Sequence, residues 1–279
     1  MAGGGPATTE NGVVATKFVL ASPEAAPQNE AVSEYGQFCP IARASEIFAE
    51  RWTPLILREI LAGRHHFSEI LKGLHRISPS TLGERLRSLE RAGVLQTGPN
   101  PSGRGATYHL TDAGARLAEL VKELGVWGQQ WLELRRDHLD ADFLMWKIFT
   151  HLAPEKLPLR RCVVRFEFHG ESKQYWLVLR GRDSDLCYSD PCFGDDLVVR
   201  ADLEAMTRIH LGEIEVHDAR RAGLLEIEGP RELVRGFAQW FPRSRFAPYA
   251  QRVQYELSTR SFTRAGQVVD RTPVAIGRT

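Results

Sequence analysis

Residues 39–110 contain four short helical patterns followed by a β-hairpin pattern, and this order constrains the fold more than any other feature of the chain. Pro40, Pro54 and Pro79 each stand where a helix can begin, since a proline in the first turn loses no intrahelical hydrogen bond. The hairpin pattern consists of two short β-prone runs around a loop that is rich in glycine and proline and carries Arg104. Helices followed by a basic-tipped hairpin predict a winged helix-turn-helix.

The fourth predicted helix, which begins after the capping residue Ser78 and ends at Gly93, has one apolar and one polar face. Leu82, Leu86 and Leu89 share the apolar face because they are spaced four and three residues apart. The polar face comprises Ser80, Glu84, Arg87, Ser88 and Arg91, with Thr81 and Arg85 at its borders. Composition alone favours an ordinary solvated face, so the pattern leaves open whether this face binds anything.

Positive charge is concentrated around that helix, although the 279-residue chain as a whole has a formal net charge of only +1. Residues 64–104 contain seven basic and three acidic side chains, whereas residues 137–279 contain 21 of each. A local excess of arginine and lysine is what contact with phosphates requires. The charge distribution therefore agrees with nucleic-acid binding without establishing it.

The patterns along the whole chain indicate an arm, two domains and a tail. We predict a disordered arm over 1–33, a winged helix-turn-helix domain over 34–136, an α+β domain over 137–247 and a tail over 248–279. The first domain closes with one long helix after Thr111, whose apolar stripe ends in Trp127 and Trp131 and needs a covering partner. In the second domain, successive strands joined by short polar turns predict an antiparallel sheet covered by helices.

Several classes of protein are disfavoured by composition and spacing. No run approaches the roughly 18 apolar residues of a membrane-spanning helix, and the first apolar patch is a poor secretory signal, so we expect a cytoplasmic protein. The cysteines at 39, 162, 187 and 192 include no C-x-x-C pair, which argues against zinc and against a disulfide framework. The histidines follow no motif spacing, and the aspartates over 183–196 are more typical of a solvated turn than of a metal site. We predict no catalytic residues, no metal and no cofactor.

The first domain resembles the HxlR family of bacterial transcriptional regulators. The matching marks are Cys39-Pro40, Arg51-Trp52-Thr53, Leu57-Arg58-Glu59, Phe67-Ser68-Glu69, Ile77-Ser78-Pro79, Arg85-Leu86, Leu89-Glu90 and Leu110-Thr111. The resemblance implies a homodimer whose fourth helix enters the major groove of a palindromic DNA operator. The implied DNA-binding residues are Ser78, Ser80, Thr81, Glu84, Arg85, Arg87, Ser88 and Arg91, together with Arg104 on the wing.

Cys39 is a candidate sensor, because a cysteine at this position senses oxidants or electrophiles in several HxlR-like proteins. Its place at the start of a helix favours the reactive thiolate. A buried and unreactive cysteine is the alternative interpretation.

Residues 142–241 resemble a sterol carrier protein-like lipid-binding domain, on the marks "DLVVRADLEAMTRIHLGEI" and "GLLEIEGPRELVRGFAQWF". The resemblance implies an apolar cavity between sheet and helices that would bind a small apolar or lipid-like ligand. The candidate lining residues are Phe166, Trp176, Leu197, Val199, Met206, Ile209, Phe237 and Trp240. An ordinary packed core is the alternative interpretation of each.

Together these patterns predict a dimeric repressor, without enzyme activity, whose binding to double-stranded DNA responds to an apolar ligand in the second domain. One alternative is a thiol-based regulator that responds through Cys39. The other is a carrier of hydrophobic metabolites.

Overall fold

The computed structural model describes residues 35–100, 103 and 105–251. The chain divides into two compact units, of which the first ends at Ala118 and the second begins at Glu119. The boundary expected from sequence follows residue 136, so the observed division assigns most of the predicted long helix to the second unit. The predicted arm and most of the predicted tail lie outside the described residues, as does Arg104 on the wing.

The first unit is built from short helices and one two-stranded sheet. Its elements are α1 (Pro40–Phe48), α2 (Thr53–Leu61), α3 (Phe67–Leu74), α4 (Pro79–Arg91), β1 (Leu95–Pro99), β2 (Ala106–Leu110) and α5 (Asp112–Ala115). The strands pair antiparallel from Leu95↔Leu110 to Pro99↔Ala106. Helix α4 thus directly precedes the hairpin, and the predicted winged helix-turn-helix is confirmed.

Apolar side chains of α2, α3 and α4 form the core of the first unit. The buried members are Ile56, Leu57, Ile60, Ile70, Leu74, Leu82, Leu86 and Leu89. The predicted cap of α4 is also present, since the Ser78 Oγ accepts a hydrogen bond from the Thr81 N–H at 3.1 Å. The leucine face of α4 is therefore inward, as its spacing predicts, and the polar face remains toward solvent.

A buried carboxylate connects α2 to its neighbours. Glu59 is fully buried, and its Oε1 and Oε2 lie 2.7 Å from the Arg58 Nε and 2.8 Å from the Arg64 Nη1. Arg58 also donates from Nη2 to the Gly73 carbonyl of α3, at 3.0 Å. A Cβ at Gly73 would overlap the Glu59 carboxylate, so α3 can approach this closely only with glycine there. The family mark Leu57-Arg58-Glu59 thus has a structural role in the packing of α2 against α3.

The prediction of one long helix after Thr111 is wrong, because the chain breaks after one turn. Helix α5 ends at Ala115 and α6 spans Ala118–Trp131. The Thr111 hydroxyl bonds to the Gly93 carbonyl at 2.6 Å, and Gly114 lies against the Val94 carbonyl, which fixes α5 on the wing. The Leu117 N–H then bonds to the Gly114 carbonyl three residues back, so the turn tightens and α6 starts as a separate helix.

The second unit contains a five-stranded sheet and five helices within the described residues. Its elements after α6 are α7 (Ala141–Thr150), β3 (Cys162–Phe168), β4 (Gln174–Leu179), β5 (Asp185–Cys187), β6 (Leu197–Ala201), α8 (Leu203–Leu211), α9 (Val216–Arg221), β7 (Leu225–Glu228) and α10 (Arg231–Trp240). None of the helices in the described ranges is long and apolar enough to cross a membrane.

The sheet is mixed, with strand order β5-β4-β3-β6-β7. The prediction of an antiparallel sheet is therefore wrong for the central pair, β3 and β6. Strands β3, β4 and β5 are antiparallel neighbours, as expected, and β7 is antiparallel to β6. However, β6 runs parallel to β3, from Val164↔Leu197 to Phe168↔Ala201. After β5 the chain returns to the end of the sheet where β3 begins. Strand β6 starts at that end, so it runs in the same direction as β3.

We expect Gly114→Ala to destabilise the first unit by about 1–3 kcal/mol, because the added methyl group requires the Val94 carbonyl, just before β1, to move. Urea unfolding followed by circular dichroism measures the change. Gly83→Ala, inside α4, is the matched control: its methyl group meets only the Arg87 side chain at 3.4 Å, and replacing a helical glycine stabilises by about 0.5–1 kcal/mol. Equal effects of the two substitutions would contradict the close approach at Gly114.

Candidate functional site

The polar face of α4 is presented to solvent along its whole length. Ser78, Ser80, Glu84, Arg87 and Arg91 are exposed, whereas Ser88 of the polar face and the border residues Thr81 and Arg85 are half-buried. The Ser78 Oγ also lies 2.9 Å from the Ser80 Oγ and 2.8 Å from the Thr81 Oγ1, so three hydroxyls cluster at the start of the helix. The structure thus brings the eight described candidates together on one helix.

The cations of this face differ in what they contact. The Arg85 Nη1 lies 2.8 Å from the Glu50 Oε2, in the connection between α1 and α2. Arg87 and Arg91 form no ion pair with any residue in the described ranges. Arg85 therefore has a partner within the protein, whereas Arg87 and Arg91 keep their guanidinium groups available to an anion.

The turn between α3 and α4 was not singled out from sequence. His75 and Arg76 adopt positive φ angles of 37° and 59°, a region that favours glycine. Arg76 is exposed one residue before the buried Ile77, which places one more cation just ahead of α4. Arg76 could have been identified from sequence, because it is a basic residue in the turn before a candidate DNA-binding helix.

The wing is bonded to the connection between α2 and α3 and to α4. The His65 and His109 rings stack with centroids 4.5 Å apart, and the His65 Nδ1 donates to the Tyr108 carbonyl at 2.9 Å. On the other side, the Thr97 hydroxyl donates to the Glu90 Oε1 of α4 at 2.7 Å. These contacts fix the hairpin relative to α4 within the first unit.

Cys39 is a partly exposed thiol at the start of α1. Its Sγ makes no capping hydrogen bond of standard geometry, but the backbone N–H groups of Ala42 and Ile41 lower the pKa of the thiol. Burial has the opposite effect elsewhere: it raises the pKa of Cys162 to about 12 and also raises the pKa of Cys187. Of the cysteines with a shifted pKa, Cys39 is thus the one whose surroundings favour the thiolate.

In the second unit, seven of the eight predicted ligand-binding residues pack into one core between the sheet and the helices. They are Phe166, Leu197, Val199, Met206, Ile209, Phe237 and Trp240. Trp176 lies on the opposite face of the sheet with Val163 and Val178, and its Nε1 donates to the Asp195 Oδ1 at 3.1 Å. Successive side chains of β4 point to opposite faces of the sheet, and both faces receive apolar side chains. The sequence pattern therefore does not reveal which face of β4 packs against the helices.

Two surface depressions lie beside the segment that follows α10. The first has a volume of about 340 Å³ and is lined by residues that include His151, Lys156, Trp240, Phe241 and Arg243. The second, of about 360 Å³, is lined by Gly212, Arg243, Ser244, Ala247, Pro248 and Ala250. Among the predicted ligand-binding residues, Trp240 lines the first depression, and its buried Nε1 has no hydrogen-bond partner among the described residues.

The segment 242–251, which we call the strap, joins α8 to α6 within the second unit. At α8, the His210 Nδ1 donates to the Pro242 carbonyl at 2.9 Å, and the Ser244 N–H donates to the His210 carbonyl at 2.7 Å. At α6, the Phe246 ring packs so closely on Gly125 that a Cβ there would overlap it. The apolar stripe of α6, which includes Leu120, Leu124, Trp127 and Trp131, is left exposed.

Comparison with known proteins identifies the first unit. A family model described as HxlR-like helix-turn-helix matches residues 47–136. YvaP of Bacillus subtilis (strain 168), an uncharacterized HTH-type transcriptional regulator, is 35% identical over 99 residues, which are 35% of this chain and 92% of YvaP. The chain belongs to the HxlR family. YodB, an HTH-type transcriptional regulator of the same organism, is 30% identical to this HxlR-family chain over 97 residues, 34% of this chain and 87% of YodB.

Solved structures add no further assignment. The structure of diamide-treated YodB is 28% identical, with a TM-score of 0.29, and the match covers 34% of this chain and 97% of YodB. The structure of quinone-bound YodB has the same identity and TM-score, and the match covers 33% of this chain and 99% of YodB. The ubiquinone synthesis protein UbiJ-SCP2 is 22% identical with a TM-score of 0.29, over 38% of this chain and 91% of UbiJ. TM-scores this low support no conclusion about fold or ligand. The HxlR family match ends at residue 136, so it includes α6 but not the sheet of the second unit.

We expect the second unit to lose about 2 kcal/mol of stability between pH 7 and pH 5 through His210. Burial lowers the pKa of His210 to about 4, with smaller contributions from His151 and Lys147. The unfolded chain takes up the proton below about pH 6.5 and the folded chain does so only near pH 4, so acid favours unfolding in between. Urea unfolding at both pH values measures the loss. His210→Asn keeps a donor for the Pro242 carbonyl and should remove this pH dependence of stability. If the variant lost as much stability between pH 7 and pH 5 as the wild type does, His210 would not be the responsible group.

Proposed function

We propose that this HxlR-family transcriptional regulator reads double-stranded DNA with the exposed face of α4. The observation that carries the proposal is the division of one helix into a buried leucine face and a solvent-facing set of hydroxyls and cations. A helix with its apolar side fixed in the domain core can enter the major groove without unfolding any part of the domain.

Different positions on α4 suit different parts of DNA. Ser80, Thr81 and Glu84 lie in the first half of the helix, and Arg87 lies just past its midpoint. All four are proposed to meet base edges, with Arg87 pairing to guanine and Glu84 accepting from cytosine. Ser78, Ser88, Arg91 and the wing residue Arg104 are proposed to meet the backbone or minor groove. Arg85 is the weaker candidate for guanine because it would have to leave Glu50.

Dimerisation is the second part of the proposal. The exposed stripe of α6 with Leu124, Trp127 and Trp131 is an apolar surface that a second copy would cover, and α1 likewise has no buried residue. A two-fold dimer would repress from a palindromic operator whose half-sites lie about 34–36 Å apart. Sedimentation that finds a monomer at micromolar concentration would contradict this part.

We also propose that the sterol carrier protein-like second unit modulates DNA binding by taking up a small apolar ligand. The core residues pack against one another, so we place the ligand at the depression beside Trp240 and Phe241. The strap borders this depression and packs on α6 through Phe246, so a ligand that moves it would act on the proposed dimer helix. A tenfold change in DNA affinity requires about 1.4 kcal/mol of preference for one state. Native mass spectrometry of the purified protein that finds no bound small molecule, with none gained from lipid extracts, would contradict this part.

A thiol switch at Cys39 is the second candidate, favoured by the lowered pKa of that thiol. Sequence similarity to YodB, a relative that is 30% identical and has been solved in diamide-treated and quinone-bound forms, gives it further support.

For DNA reading by α4, we expect Arg87→Ala to weaken operator binding by about 1–3 kcal/mol, roughly 5- to 150-fold, and to relax sequence preference at one position of each half-site. Fluorescence anisotropy on duplexes that the protein selects from random sequence measures both. Arg85→Ala is the comparison on the same helix: because its guanidinium group pairs with Glu50, we expect it to weaken operator binding less than Arg87→Ala does and to change the free energy of unfolding by up to about 1 kcal/mol. Unchanged affinity and preference in Arg87→Ala would contradict the proposal.

For the thiol switch, we expect N-ethylmaleimide at neutral pH to modify Cys39 faster than Cys187 or Cys162, because alkylation requires the thiolate. Peptide mass spectrometry over time measures the order of modification. Alkylation should then change operator affinity in the wild type and in Cys192→Ser, but not in Cys39→Ser. A response that survives in Cys39→Ser would exclude this thiol as the switch.

A further inference from the structure

One end of the sheet in the second unit carries a cluster of cations to which the proposed function gives no part in DNA binding, although one of them, Lys156, also lines the first depression. We call it the basic patch and define it as Lys156, Arg160, Arg161, Arg180 and Arg182. Cys162 and Leu179 are paired in the β3–β4 register, so Arg161, just before β3, and Arg180, just after β4, emerge side by side. The turn Pro154–Lys156 contacts the turn Gly181–Asp183, which brings the other cations of the patch to the same end.

An exposed aromatic ring holds the two central arginines. The Cζ of Arg161 lies 4.5 Å and the Cζ of Arg180 lies 5.4 Å from the centroid of the Phe193 ring. Phe193 itself is about half exposed. Guanidinium groups that stack on a ring lose side-chain freedom before any ligand arrives, while their N–H edges remain available for hydrogen bonds. The guanidinium groups of Arg161 and Arg180 are therefore positioned side by side to donate hydrogen bonds to oxyanions.

The cations of the patch are not neutralised by the protein. All five are exposed, and none forms an ion pair with a residue in the described part of the chain. The nearby Asp195 is occupied by Arg165 at 2.8 Å, and the Asp196 carboxylate accepts from the Val163 N–H at 2.8 Å. Two exposed carboxylates, Glu155 and Asp183, belong to the same turns, so the patch keeps a positive excess.

We propose that the basic patch binds the phosphate backbone of DNA, as a second and sequence-independent contact beside the one made by α4. The proposal rests on DNA binding by the first unit. Planar guanidinium groups match phosphate oxygens bidentately, and the counterions released by each such contact make binding strongly dependent on salt. An anionic membrane surface is disfavoured because Leu159 is the one fully exposed apolar side chain beside these cations in the described chain, and stable membrane binding needs a larger apolar area.

The test is the salt dependence of DNA binding by the full chain. Fluorescence anisotropy with a selected duplex should show that Arg161→Ala/Arg180→Ala weakens binding severalfold and flattens the plot of log affinity against log salt by about 0.9 for each phosphate that is no longer bound. The loss of affinity should be the same for selected and unrelated duplexes, because backbone contacts carry no sequence information. Arg87→Ala, by contrast, should reduce the preference for the selected sequence.

Arg231→Ala/Arg235→Ala is the matched control, since it removes the same charge from exposed positions of α10. A slope as flat in this control as in the patch variant would show an effect of net charge and overturn the proposal. An unchanged slope in the patch variant would overturn it while leaving DNA reading by α4 intact. Loss of binding to phosphatidylserine vesicles without loss of DNA affinity would assign the patch to membranes and overturn it as well. A wild-type chain that binds no duplex would contradict both proposals.

Discussion

The burial of the α4 leucine face in the core of the first unit is the constraint on which the rest of that unit depends. Leu82, Leu86 and Leu89 are buried almost completely, so rotation of α4 about its axis would expose three large apolar side chains, at a cost of about 1.5–3 kcal/mol each. The position of every polar residue on the opposite face follows from that burial. The buried Glu59 adds a second restraint, because its ion pairs with Arg58 and Arg64 fix α2 where α3 and α4 must pack. The candidate reading face is thus held by packing, and its own polar groups need not contribute to stability.

The second unit combines a closely packed core with a more open periphery, and the strap belongs to the periphery. Its hydrogen bonds to His210 and its packing on Gly125 are specific, yet the segment borders both depressions and has few buried apolar side chains. Segments of this kind open at lower free-energy cost than core strands. Nearly all of α6 belongs to the second unit, as does the strap. A change in the conformation of the strap can therefore affect α6 through contacts within one compact unit.

Sequence patterns predicted the elements that are governed by local rules. Ser78 as a cap, the leucine face of α4, the hairpin after it and the helices of the second unit all follow from capping chemistry and periodicity. The break after Ala115 does not, since it depends on Thr111 and Gly114 meeting the end of α4 and the start of the wing. The parallel pairing of β6 with β3 and the location of Trp176 on the second face are also non-local, because alternation is uninformative when both faces of a strand are apolar. At the candidate site, the residue types and their spacing were predictable, but the pairing of Arg85 with Glu50 depends on tertiary packing.

The packing of buried side chains in the second unit bears on where the proposed ligand could be placed. Placing a ligand among Phe166, Met206 and Phe237 would require these buried side chains to separate, and the ligand would have to restore the dispersion energy of their packing. A ligand at the depression beside Trp240 would avoid this cost, because the space already exists. The Trp240 indole N–H is buried and lacks a hydrogen-bond partner among the described residues. An unsatisfied buried donor costs about 1–3 kcal/mol, so a ligand or a small rearrangement that supplied an acceptor there would recover part of that free energy. The same free energy would then be available to move the strap, which makes the edge of the core a better place than its centre for a ligand to influence α6.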